Sequence, residues 1–484
     1  MSAISARLVG RLRGLAPRFL PFADAATDDL PLGRLLRLSL LQVSVGMATV
    51  LLIGTLNRVM IVELGVAATV VAAMVALPIL FAPFRALIGF RSDTHRSHLG
   101  WRRVPYIWFG SLAQFGGLAI MPFALLLLAG DTLWPPVYGQ VAAALAFLLV
   151  GAGLHTVQTV GLALATDLAA EESQPRVVAL MSVMLLGGML VSALVFAALL
   201  AEFSALRLIQ VIQGAAVVTM VLNGIALWKQ EPRGAARAPG CGERERFGEA
   251  WARLRGGGRW SRRLVAVGLG SAAFGMQDVL LEPYGGQVLG MPVAATTLLS
   301  ALFALGGIGG FAAAARLLGR GVDEHRAAAH GALLGVFGFA FVMLAAPLGS
   351  VLLFAAATAL IGVGSGLFVA GSLTACVRFA GSGQAGLALG AWGAVQATAA
   401  GGAIALGGIV RDLVGASASS GALGVALEGA ATGYSAVYLL EIILLFMTLA
   451  VIGPLVRPAG APLPAQPADR RPLDADVPTP SLVR

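Results

Sequence analysis

Two carboxylates four residues apart, Asp278 and Glu282, stand in the stretch MQDVLLEPYGGQ at the end of an apolar run. On a helix that spacing puts both on one face. An ionisable group in hydrocarbon is costly unless paired or hydrated, so the pair reads as a proton relay or a partner for a buried base. Gln277 precedes it; Asn57, Arg58 and Glu63 close the first apolar run, and Arg85 lies near the end of the second. Arg58 is expected to pair with Asp278 or Glu282 if the first and seventh runs face each other. Beside Pro283, Gly285 and Gly286, Glu282 is expected near the surface, with Asp278 one turn deeper. His155 is the one histidine placed inside an apolar run. Its imidazole can ligate a metal or bond a neighbouring helix.

The elements that must position these residues follow from composition. Of 484 residues, 58% are hydrophobic and 12% charged, and mean hydropathy is +0.86. Soluble domains carry about 25% charged residues, so this is an integral membrane protein. Apolar runs near the roughly 20 residues of a membrane-crossing helix recur along the chain, without the ten-residue alternation of a barrel. They predict an all-α bundle of twelve spans near 36–58, 66–88, 104–129, 137–164, 177–201, 205–228, 263–283, 293–318, 327–347, 350–377, 385–410 and 433–456. The chain divides into a basic, interfacial N-terminal segment (1–35), a six-helix half (36–228), a linker (229–262), a second six-helix half (263–457) and a Pro- and Ala-rich disordered tail (458–484).

Arginine sets the orientation. Arg7, Arg11, Arg13, Arg18, Arg34 and Arg37 precede the first span, and the linker is again Arg-rich, which predicts cytoplasmic termini and linker. The net charge of +9 and pI near 10.6 thus reflect topology and attraction to anionic lipid, and nucleic acid is not expected. Cys241 and Cys376 suggest no disulfide framework, and no catalytic triad or His/Cys metal cluster is visible. The glycine runs GGIGG (306–310) and GGAIALGG (401–408) fit close helix packing.

The two halves also look alike: LGVAAT (64–69) enters span two and LGMPVAAT (289–296) enters span eight, as in transporters built from repeated halves. The loop GFRSDTHRSHLGWRR, with Gly89, Asp93, Gly100, Arg102 and Arg103, resembles the loop signature of the major facilitator superfamily. More specifically, GTLNRVMIVELGV (54–66), APFRALIGFRSDTHRSHLGWRRVPYIWFGS (82–111), ATDLAAEESQPRVVALM (165–181) and QDVLLEPYGGQVLGM (277–291) resemble the PucC/LhaA family, the bacteriochlorophyll-delivery branch of that superfamily. The resemblance implies a major-facilitator-type bundle and an assembly factor for a light-harvesting antenna (LH1 or LH2) in the bacterial cytoplasmic or intracytoplasmic membrane. Bacteriochlorophyll, as bound cargo, and the antenna polypeptides would be its partners, with pigment-biosynthesis enzymes beside them. His155 would then be the candidate pigment ligand. A proton-coupled transporter of a small solute or tetrapyrrole is the alternative, and no enzymatic role is expected: the lone Asp24/Asp28 pair precedes the first span, without the paired aspartate motifs that diphosphate chemistry needs.

Overall fold

The computed structural model describes residues 30–78, 88, 92, 101–129, 134–169, 173–231, 259–380 and 385–456. Among these every regular element is a helix. The first span, α1, runs Leu32–Glu63, α-helical to Thr49 and then wound as wider π-helix over Val50–Leu56 and Val59–Glu63. There follow α2 (Ala68–Ala76), α3 (Val104–Leu128), α4 (Pro136–Leu168), α5 (Gln174–Leu199) and α6 (Ala205–Leu227). In the second half, α7 runs Trp260–Met276, tightens into a 3-10 turn at Gln277–Val279 and resumes at Leu281–Gln287. Then come α8 (Val293–Gly319), α9 (Glu324–Ala345), α10 (Val351–Ala380), α11 (Ala385–Ser419) and α12 (Ala431–Ile452). Eleven helices are long and apolar enough to cross a membrane. The described part of α2 is shorter, and most of the rest of the expected second span, with Arg85, lies outside the described residues. The eleventh helix continues to Ser419, beyond the expected end at 410, and α7 starts at Trp260 rather than 263.

The packing repeats with an offset of six helices. In the first half α1 lies against α4, α5 and α6, and α3 packs on α4 and α6; in the second α7 lies against α10, α11 and α12, and α9 packs on α10 and α12. The halves meet along α2–α11 and α5–α8, with the π-helical end of α1 against the break in α7 and against α8. Arg34, at the start of α1, donates to Gln230 beyond α6 (3.1 Å), and Arg262, at the start of α7, donates to the Val451 carbonyl near the end of α12 (3.0 Å). Each half therefore enters and leaves at one face, the terminal face.

Apolar side chains cover the outside as well as the core. Phe109 and Phe123 of α3 are 69% and 67% exposed, which in a bilayer means contact with lipid tails of similar polarity. Helix association then depends on close packing, and glycine supplies it between α8 and α10. A Cβ at Gly310 would lie 2.8 Å from the Leu367 backbone nitrogen, and one at Gly366 would lie 3.1 Å from the Gly307 Cα. The GGIGG run is a backbone-to-backbone contact surface.

Candidate functional site

The break in α7 begins with a missing donor. Pro283 has no N–H to close the helical bond to the Val279 carbonyl four residues back. Asn57 of α1 fills the gap: its amide nitrogen donates to Val279 O at 2.7 Å and to Ile53 O at 2.9 Å. The approach needs Gly54, where a Cβ would meet Ser300 Oγ at 2.9 Å and the Glu282 carboxyl carbon at 3.1 Å. Replacing Asn57 by leucine orphans a buried carbonyl and is expected to destabilise the protein by about 1–3 kcal/mol. Pro283→Ala restores an N–H at the right offset. In thermal melts of the full chain in detergent, N57L/P283A should therefore be more stable than the two single changes sum to; strict additivity would show that Asn57 does not substitute for the proline's missing donor.

Three carboxylates lie around this break. Asp278 is half-buried and accepts from the Gln277 amide (2.6 Å). Glu282, only 3% exposed, accepts from Ser300 Oγ (2.6 Å), while its second oxygen has no hydrogen bond. The resumed helix tucks Glu282 between α1 and α8, so within the protein it is the more buried of the two, and both carboxylates border a cavity. Glu441, from the middle of α12, is fully buried and faces Asp278 and the Gln277 backbone, with no hydrogen bond of ordinary geometry at either oxygen. It is the functional candidate that the motifs did not mark, although a lone acid inside the apolar run AVYLLEIILLF carries the same signal as Asp278. Tyr284 anchors the surroundings: its ring lies 5.2 Å from Phe354 and 5.6 Å from Tyr438, and its hydroxyl donates to the Val342 carbonyl (3.1 Å).

Arg58 does not pair with Asp278 or Glu282. Its guanidinium binds Glu63 in its own span and donates to the Met291 carbonyl (3.0 Å). The cause is the winding of α1, since residues five apart align along a π-helix but diverge on an α-helix. The central cavity is bordered by Gly54, Gln277, Asp278, Glu282, Ser300 and Phe303 and has a volume of about 90 Å³, room for a few waters.

Other expected residues lie elsewhere. His155 is half-buried on α4, which packs chiefly on α3 and α1, and it does not border the central cavity. Gly89, Asp93 and Gly100 fall outside the described residues, but Arg102 and Arg103 form a cluster on the terminal face, both reaching Asp167 (3.1 and 2.6 Å). Glu231, beyond α6, accepts the backbone N–H groups of Arg102 (2.9 Å), Arg103 (3.1 Å) and Val104 (3.0 Å), capping α3. On the opposite face Asp412 of α11 accepts the Thr69 backbone N–H (2.6 Å) at the start of α2, a charge–dipole tie between halves. Asp323, Glu324 and His325 bring potential metal-ligand atoms within 4.8 Å. There Asp323 caps α9 through the N–H groups of His325 (2.9 Å) and Arg326 (3.2 Å), and Glu324 meets Arg378 (3.4 Å), which accounts for the cluster structurally.

Among solved structures the chain is similar to a bacterial homolog of the human lysosomal transporter Spinster, inward-facing (TM-score 0.62, 14% identity, 87% of this chain and 95% of that one), and to the nucleoside transporter NupG (TM-score 0.60, 14%, 87% and 99%). The fold is a major-facilitator-type bundle. In sequence it is 59% identical over 420 residues to Protein PucC of Rhodovulum sulfidophilum (86% of this chain, 92% of that one). It is 54% identical over 466 residues to an "Uncharacterized protein in puhA-bchM intergenic region" of Rhodobacter capsulatus (96% and 97%). The family described as "PUCC protein" matches residues 55–460. With that match covering most of the chain, and Arg58 and Asp278 both inside it, this multi-pass membrane protein belongs to the PucC family.

Proposed function

We propose that the protein is a non-enzymatic assembly factor for a bacterial light-harvesting antenna, LH1 or LH2, binding bacteriochlorophyll and nascent antenna polypeptides in the cytoplasmic or intracytoplasmic membrane with both termini cytoplasmic. The observation that carries this is the near full-length identity to PucC proteins. The geometry supports it, because a central cavity of about 90 Å³ is far below the 300–1,000 Å³ of ordinary small-molecule pockets. The test is purification of the full chain from pigment-making cells: co-purifying pigment absorbance and small antenna polypeptides are expected. Colourless, partner-free protein that accumulates a solute in proteoliposomes overturns the reading.

A second reading, proton-coupled transport of a small solute or tetrapyrrole, is favoured by Asp278, Glu282 and Glu441. None of the three forms an ion pair with an arginine or lysine among the described residues. Solute uptake driven by a pH gradient, lost in E441Q, supports that reading.

A further inference from the structure

We propose that the cargo site is a crevice on the flank of the first half, between α5 and α6 with α1 as its floor, and that it takes an isoprenoid-tailed magnesium chlorin; this rests on the pigment-binding reading above. The crevice breaks the molecule's internal symmetry. Helices α5 and α6 both pack on α1 and barely touch each other, whereas their counterparts α11 and α12 close on each other beside α7. The opening has a volume of about 620 Å³, against about 90 Å³ at the centre. That is within the range of sites for extended small molecules.

Its walls divide by polarity. Met47, Val218 and Leu222 make the inner part apolar, Arg207 and Gln210 lie toward the end where α5 meets α6, and Ser192 faces the crevice just below them. Arg207 is held at the rim by Glu202 (2.9 Å). The side chains of Ser192 and Gln210 hydrogen-bond to none of the described residues. Gln210 is the sixth residue of α6 and Ser192 the eighth from the end of α5, so at 1.5 Å per residue both lie about 8–10 Å below the helix ends. Acyl chains at that depth offer no partners, and unsatisfied polar groups there call for a ligand that carries polar atoms into the hydrocarbon. A chlorin does so. Its magnesium takes hard oxygen donors such as the Gln210 amide oxygen, and a ring carbonyl accepts from the Ser192 hydroxyl. The isoprenoid tail then lies along Val218 and Leu222.

Gly214 borders the crevice with nothing within 4 Å of a Cβ placed on it, and Gly224, on the same helix but outside the crevice, is equally free. Gly214→Trp and Gly224→Trp in the full chain, purified from pigment-making cells, are the test, with Gln210→Leu as a milder second variant. Bound pigment per protein is expected to fall at least tenfold in G214W and to stay unchanged in G224W, at equal melting temperature and elution profile. Q210L is expected to shift the longest-wavelength absorption band of the pigment that remains. Full pigment in G214W overturns the crevice as its site while leaving the assembly reading intact, and a crevice holding only phospholipid by mass spectrometry does the same. A colourless wild-type protein overturns both. An unshifted, full-strength spectrum in Q210L overturns the glutamine as magnesium ligand.

Discussion

Leucine in place of Gly310 is expected to abolish accumulation of folded protein, while leucine at the neighbouring Gly309 is expected to be tolerated. The contrast is geometric. A Cβ at Gly310 would press into α10 backbone, 2.8 Å from the Leu367 nitrogen and 3.1 Å from the Gly366 Cα, where no side chain can swing aside. One at Gly309 meets only a Val363 methyl at 3.9 Å. Overpacking a core costs about 1–3 kcal/mol where neighbours can relax, and more where they cannot. Because α8 and α10 have little water-driven attraction in lipid, parting them forfeits the packing that holds them together. Size-exclusion profiles of the two variants, expressed side by side, measure the difference. Equal, monodisperse yields would show that α8 and α10 do not depend on this contact.

Removing the carboxylate of Glu63 is the second large effect. Arg58 is 4% exposed, so Glu63→Leu leaves a buried guanidinium without its ion-pair partner. Breaking a buried pair on one side costs about 3–5 kcal/mol. Glu63 is itself 39% exposed and partly screened, which places the expectation at the lower end, about 3 kcal/mol. Arg58→Leu/Glu63→Leu is expected to regain at least half of that loss, because the stranded charge is gone, even though the Met291 carbonyl loses its donor. A double variant as unstable as the sum of the singles would show that the pair is not what Glu63 contributes.

The spans were legible from apolar run length, and the face-to-face placement of the first and seventh from the twofold organisation of the chain. The partner of Arg58 was not. Helical spacing rules favour residues three and four apart, and a π-helical turn, which brings Glu63 into line five residues on, leaves no distinct composition in GTLNRVMIVELG. The break in α7 was half legible: Pro283 announces a freed carbonyl, but only the folded chain shows that Asn57 takes it. Glu441 was readable by the rule that drew attention to Asp278, yet its isolation in an apolar run made it look like part of a plain span. The crevice had no local signature, since it arises from how far α5 and α6 diverge over α1.

The ties from α1 and α2 to the second half have a consequence for motion. Asn57 to the Val279 carbonyl (2.7 Å), Arg58 to the Met291 carbonyl (3.0 Å), Thr55 to Thr297 (3.3 Å) and Asp412 to the Thr69 N–H (2.6 Å) all bridge the halves. Rocking the halves apart at the face opposite the termini breaks all four together. At about 1 kcal/mol each, somewhat more where a charge takes part, the sum is on the order of 5 kcal/mol. Such a gap keeps the opened arrangement at roughly one molecule in several thousand. A partner that works by opening that face must bind the rare form more tightly by the same factor. One that docks on the flank finds its surface present in every molecule.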